Sequence, residues 1–330
     1  MPQVDLVLEG GGVKGLGLVG AIAVLEEHGY SFAHVAGTSA GAIVGALVAA
    51  GMSAHDLHEV LRNVDWTRFR DGDWLDHLGV PGKAISALAS QGIYSGEYLT
   101  TWLGGLLADH GVVHFADLRT NEADSSLPPH HSYRLVVMTS DVSQGELRRL
   151  PWDYPRYGLE PDGVRVVDAV RASMAIPFFY SPVKVDDKIT GTESWLVDGG
   201  LLSNFPVDVF DRSDGKDARW ATLGIKLSAR PGSVQGVRNE IAGSASLTQA
   251  MLQTMMGSHD QLALDDPAVL SRTISVDTMK VRATDFDITS DTQDQLYENG
   301  RKAATSFLAT TVSQPASVDT PGAVEAAPPA

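Results

Sequence analysis

Two strand–glycine–helix units occupy the first 51 residues, and that arrangement constrains the fold more than any other feature of the chain. Val4 to Leu8 is a short apolar run followed closely by Gly10-Gly11-Gly12, and Leu16 to His28 then carries a helical pattern stopped by Gly29. Phe32 to Ala36 is a second short strand, Ala40 to Ala50 a second helix, and Gly51 its stop. Strands that alternate with helices pair in parallel, and a parallel sheet has to be covered on both faces. Further strands are expected at Arg134 to Ser140, at Trp195 to Val197 leading into a turn at Asp198, and at Trp220 to Leu227. Residues 56–118 read as mostly helical and 244–264 as another amphipathic helix. From about Val312 the Pro, Ala, Ser and Thr content offers too little apolar surface to order the chain, so residues 312–330 are expected to be a disordered tail after a domain spanning 1–311.

Charge and composition exclude several classes of function. With 25 basic against 41 acidic residues the net charge is −16, which repels nucleic-acid phosphates and anionic bilayers, so any membrane contact must rest on apolar burial. There is no cysteine, hence no disulfide and no thiolate metal site. The N-terminus shows no basic segment followed by an apolar one, so the expected location is cytoplasmic. Val35 to Ala54 carries no charge, but its Ala, Gly, Ser and Thr content fits a buried helix better than a membrane span.

The first glycine loop formally satisfies the dinucleotide fingerprint through Gly10, Gly12 and Gly15. A dinucleotide site also wants a carboxylate at the end of the second strand, and that strand ends in Val35-Ala36-Gly37-Thr38-Ser39 without one. The same loop can gather backbone N–H groups at a helix N-terminus to hold an oxyanion.

Ser39 lies in Gly37-Thr38-Ser39-Ala40-Gly41, the G-x-S-x-G pattern of a nucleophile elbow, although a serine that merely caps the helix fits the same letters. Most of the ten histidines lie in polar stretches, and none sits in a glycine-flanked turn. His55 and His58 are three apart on a helix but lack a third ligand nearby, so no metal site is expected. The better base candidate is Asp198, which ends an apolar strand and is held by Gly199 and Gly200. His259 remains open as the third member of a Ser–Asp–His order.

Taken in order, Gly10–Gly15 (GGGVKG), GTSAG and Asp198-Gly199-Gly200 resemble the patatin-like phospholipases. Similar stretches are Gly92-Ile93-Tyr94, Phe115–Leu118, Thr139-Ser140-Asp141, Arg171–Pro177 and Asn204-Phe205-Pro206, and beyond Leu227 no motif matches. The resemblance implies a three-layer α/β/α fold with a mainly parallel central sheet and a Ser–Asp dyad. It makes Ser39 the nucleophile, Asp198 the general base and the amides around Gly10, Gly11 and Gly12 the oxyanion hole, with Lys14 at the family's basic position and Gly15, Gly37, Gly41, Gly199 and Gly200 in support. The implied activity is hydrolysis of fatty-acyl esters of phospholipids, lysophospholipids or neutral lipids, with no cofactor or metal, a lipid substrate, and peripheral membrane contact. A dinucleotide oxidoreductase and an idle lipid-binding protein on the same fold are the competing readings. Trp66, Phe69, Trp74, Leu75 and Leu78 form an apolar cluster that is either a satellite core or a cap lining an acyl channel.

Overall fold

A computed structural model of the chain describes residues 2–69, 94–120, 128, 131–212, 219–227, 250, 254, 266–279, 281–283 and 285–312. The expected helix at 244–264 falls almost wholly outside them, as do Trp74, Leu75, Leu78, His259 and residues 313–330.

The two opening units form as the glycine punctuation dictates: β1 (Gln3–Leu8), α1 (Leu16–Glu27), β2 (Ser31–Thr38) and α2 (Ala40–Ala49). After α3 (Ala54–Asn63) and α4 (Glu97–Asp109) come β3 (Leu135–Asp141), β4 (Glu146–Leu150), α5 (Val166–Ser173), β5 (Val183–Asp187), β6 (Thr192–Asp198), β7 (Ala221–Lys226) and β8 (Thr273–Ser275). The sheet runs β5-β6-β3-β2-β1-β7-β8, with β4 on the remaining edge of β3. Strands β3, β2, β1, β7 and β8 pair in parallel, and β4, β5 and β6 form an antiparallel wing, so the sheet is mixed with a parallel centre.

Helix α2 lies on one face, where Gly45 lets it settle onto Leu8, Val35 and Leu135. The opposite face is covered by the 205–210 segment, with Phe205 and Val207 against Gly224 of β7. The last helix, α6 (Ser290–Val312), had no counterpart among the sequence expectations and runs one residue into the expected tail. It crosses α1 closely, because Gly20 meets the Tyr297 carbonyl and Gly300 meets the Gly17 carbonyl with no side chain between.

One feature of the register places the site. On one edge β3 pairs with β2 as far as Met138, opposite Thr38, and with β6 from Thr139, opposite Asp198. Strand β4 occupies the other edge over residues 137–141, so β2 and β6 share the first edge end to end. The strand that leaves at Thr38 and the strand that arrives at Asp198 therefore meet at neighbouring positions along β3.

Candidate active site

Ser39 sits at the turn between β2 and α2 with φ 54° and ψ −124°, a left-handed backbone that a non-glycine residue adopts only where its surroundings enforce it. They do so by close approach. A Cβ on Gly37 would strike the Gly41 carbonyl, and one on Gly41 would lie 2.7 Å from the Glu9 carbonyl oxygen. The Ser39 N–H donates to Ser173 Oγ (2.8 Å), which itself donates to the Met138 carbonyl (2.6 Å), tying the elbow to α5 and β3. The side chain of Ser39 makes no capping bond to α2, which removes the simple helix-cap reading. Its hydroxyl donates instead to Met174 Sδ at 3.4 Å.

Asp198 is wholly buried. Oδ1 accepts the Gly200 N–H (2.8 Å), and its own N–H donates to the Ala175 carbonyl (2.9 Å). Oδ2 is buried without a hydrogen-bond partner among the described residues. Burial pushes the carboxyl up to about 7, against smaller lowering effects from the Gly200 N–H and then from the nearby Ser39 hydroxyl. Although the hydroxyl is near enough to act on the carboxyl, its hydrogen bond goes to Met174 and leaves Oδ2 free. Thr139 Oγ1 donates to the Val197 carbonyl (2.8 Å) and Ser140 Oγ to that of Gly199 (3.3 Å), so the Thr139-Ser140-Asp141 stretch holds the Asp198 turn.

The glycine loop faces Ser39: a Cβ on Gly10 would lie 3.1 Å from that of Ser39. The Gly10 N–H is engaged, donating to the Asn204 carbonyl at 3.2 Å, while Asn204 Nδ2 donates to the Gly10 carbonyl at 3.1 Å. Among the described residues neither the Gly11 nor the Gly12 N–H donates to the protein, so two of the three expected amides remain available. Gly12 has φ 57° and its Cα faces the Ala283 carbonyl, a position no side chain could occupy. Gly15 closes the short turn and packs against Ala40.

Beneath the loop lies a buried ion pair that sequence reasoning missed. Lys226 Nζ donates to Glu9 Oε1 (2.8 Å), and Glu9 Oε2 accepts the Leu227 N–H. Lys14 is half-buried beside this pair. Burial lowers its amine pKa, Glu9 opposes that and Lys226 adds to it.

An apolar cavity opens beside Ser39, lined among others by Gly12, Ala40, Val44, Trp66, Phe69 and Met174. It encloses about 20 Å³, room for a water or two and not for an acyl chain. Trp66 and Phe69 are thus core residues that also face this space, and Phe69 packs edge-on to Tyr98 (5.1 Å) and Trp102 (5.5 Å). Among the described residues no cluster of His, Cys, Asp or Glu could hold a metal, and no helix is long and apolar enough to cross a membrane.

The family model described as patatin-like phospholipase matches residues 6–211. The chain belongs to the patatin-like phospholipase family. It is therefore a lipid hydrolase by family. The Bacillus subtilis protein YqhO is 35% identical over 308 residues, which cover 92% of this chain and 98% of that protein. A Vibrio cholerae protein named as a cGAMP-activated phospholipase is 24% identical over 298 residues, 78% of each chain. Among solved structures, VipD from Legionella pneumophila shares the fold with a TM-score of 0.52 at 20% identity, over 94% of this chain and 67% of that one.

Proposed function

We propose that this patatin-like protein hydrolyses fatty-acyl esters through a Ser39–Asp198 dyad and an acyl-enzyme, as a phospholipase A or lysophospholipase type of carboxylic ester hydrolase. The observation that carries the reading is the meeting of the two residues along β3, with Asp198 Oδ2 left without a partner beside the Ser39 hydroxyl. Rotation of the hydroxyl from Met174 Sδ to Oδ2 lets the carboxylate take its proton as Oγ bonds to the ester carbonyl carbon. The Gly11 and Gly12 amides, with the positive end of α2, face the oxygen that becomes negative. When the ester C–O bond breaks, the leaving alcohol takes the proton from Asp198. Water, activated by the same carboxylate, then releases the fatty acid and restores Ser39. The apolar cavity favours an acyl chain over a polar substituent.

The dinucleotide alternative is disfavoured because Asn204 and Ala283 fill the flanks of the glycine loop. The test is a panel of short-chain esters and phospholipids, alongside labelling with a fluorophosphonate. Wild type should turn over esters and be labelled, and Ser39→Ala should lose both with its fold intact. Unchanged labelling in that variant removes Ser39 as nucleophile, and absence of any turnover in wild type leaves the idle lipid-binding reading.

A further inference from the structure

Among the described residues, three other than glycine have positive φ: Ser39 at 54°, Phe178 at 68° and Met279 at 57°. For bulky side chains this backbone is strained, and such strain persists only where the surroundings impose it. Such strain clusters at functional positions, and here it holds two apolar side chains toward solvent, Phe178 at 45% and Met279 at 39% exposure.

Both residues belong to loops that frame the candidate site. Phe178 follows Met174, which contacts the Ser39 hydroxyl, and Ala175, whose carbonyl accepts the Asp198 N–H. Met279 follows Thr278, whose hydroxyl donates to the Leu227 carbonyl (2.9 Å), and precedes Ala283, whose carbonyl accepts the Val13 N–H (3.3 Å) beside the glycine loop. The loops meet where Phe179 stacks on Phe286 at 5.5 Å. Met174 and Phe286, one beside each loop, both line the apolar cavity.

We infer that Phe178 and Met279 are interfacial anchors that enter the acyl region of a lipid surface and seat the cavity on it. This rests on the acyl-hydrolase reading only for the orientation of the cavity. The surface chemistry follows from charge. At −16 the chain is repelled by anionic bilayers, so the partner is an uncharged or zwitterionic lipid surface held by apolar burial. Continuity with the apolar cavity favours lipid over a protein partner, because a chain drawn from the surface would pass from one apolar environment into the next.

The test uses phosphatidylcholine vesicles and two readouts. In a Ser39→Ala background that leaves the vesicles intact, Phe178→Trp should show a blue-shifted emission on vesicle binding and quenching by brominated acyl chains. Phe178→Asn and Met279→Asn should each weaken vesicle affinity by about tenfold, the worth of burying the exposed part of one such side chain. Turnover of a monomeric water-soluble ester should stay within about twofold of wild type. Asn tolerates positive φ, so neither variant should lower the melting temperature, as the removal of a packing residue would. No emission shift, or equal losses on vesicle and soluble substrates, overturns the anchors. Wild type that binds vesicles without hydrolysing any ester overturns the hydrolase reading and leaves the anchors standing.

Discussion

Replacing Asp198 with Asn should disable the enzyme and, from about pH 7 upward, stabilise the protein. The carboxyl titrates near 3.8 in an unfolded chain and at about 7 when buried in the fold. Between those values the folded state holds more protons than the unfolded one, so wild-type stability falls as pH rises through the window and levels off above pH 7. A shift of about 3 units corresponds to roughly 4 kcal/mol of destabilisation once Asp198 is ionised. Asn keeps an oxygen for the Gly200 N–H and puts an NH2 where Oδ2 has no partner, at a pH-independent cost of about 1–3 kcal/mol if that group stays unpaired. The pH-dependent part is cleaner. From pH 5 to pH 8 the stability of Asp198→Asn relative to wild type should rise by about 2–3 kcal/mol. Urea denaturation of both proteins at each pH measures it. A difference that stays flat from pH 5 to 8 would refute a carboxyl held protonated by burial. Ester turnover in the variant should drop by a thousandfold or more, at the upper end for loss of a general base.

With Asp198 as the proposed base, wild-type kcat/KM should climb with unit slope below about pH 7 and plateau above it, and a midpoint near 4 would argue for a solvated base. Ser173→Ala strips the partner from the Ser39 N–H and the Met138 carbonyl, so a loss of about 2–4 kcal/mol in urea denaturation is expected. Lys226→Met removes the cation bonded directly to buried Glu9, leaving only the more distant Lys14 charge, and should cost up to about 3–5 kcal/mol, whereas Lys226→Arg should recover part of it. Trp102→Ala removes an indole from the cavity wall and should raise the ratio of long-chain to short-chain ester turnover; an unchanged ratio would mean the acyl chain lies elsewhere.

The sequence disclosed those parts of the fold whose letters obey one local rule. β1, α1, β2 and α2 form within two residues of their expected bounds, because apolar runs and glycine stops coincide there. β4 was hidden, since Glu146–Leu150 looks like surface. Its buried Arg148 is accommodated by Tyr157 (3.0 Å), which in turn bonds Asp141 (2.8 Å), and such a network is invisible to periodicity. α6 was hidden because only scattered positions such as Leu296, Ala304 and Leu308 are buried, and because Gly300 looks like a breaker when it is a contact point with α1. At the site, Ser39 and Asp198 were legible as unusual residues in unusual turns. Their adjacency was not, because it depends on β3 passing from β2 to β6 between Met138 and Thr139. Nor was the contact of Met174 with the serine hydroxyl, or the partner of Glu9, since a lysine in an apolar strand gives no sign of what it faces.

That handover along β3 also bears on how the proposed Ser39–Asp198 dyad would work. An ordinary carboxylate lies roughly nine units below a serine hydroxyl in proton affinity, too wide a gap for direct transfer at useful rates. Burial at the strand junction closes about three of those units, worth roughly 4 kcal/mol, and it does so at the cost of folding stability. In the proposed mechanism the remainder falls to groups that favour the developing oxyanion, the Gly11 and Gly12 amides and the end of α2. The two contributions are physically linked. A polar group placed near Oδ2 to stabilise the ionised carboxylate would lower its pKa and weaken the base, so the partnerless oxygen that looks like a folding defect is what the proposed proton transfer from serine requires.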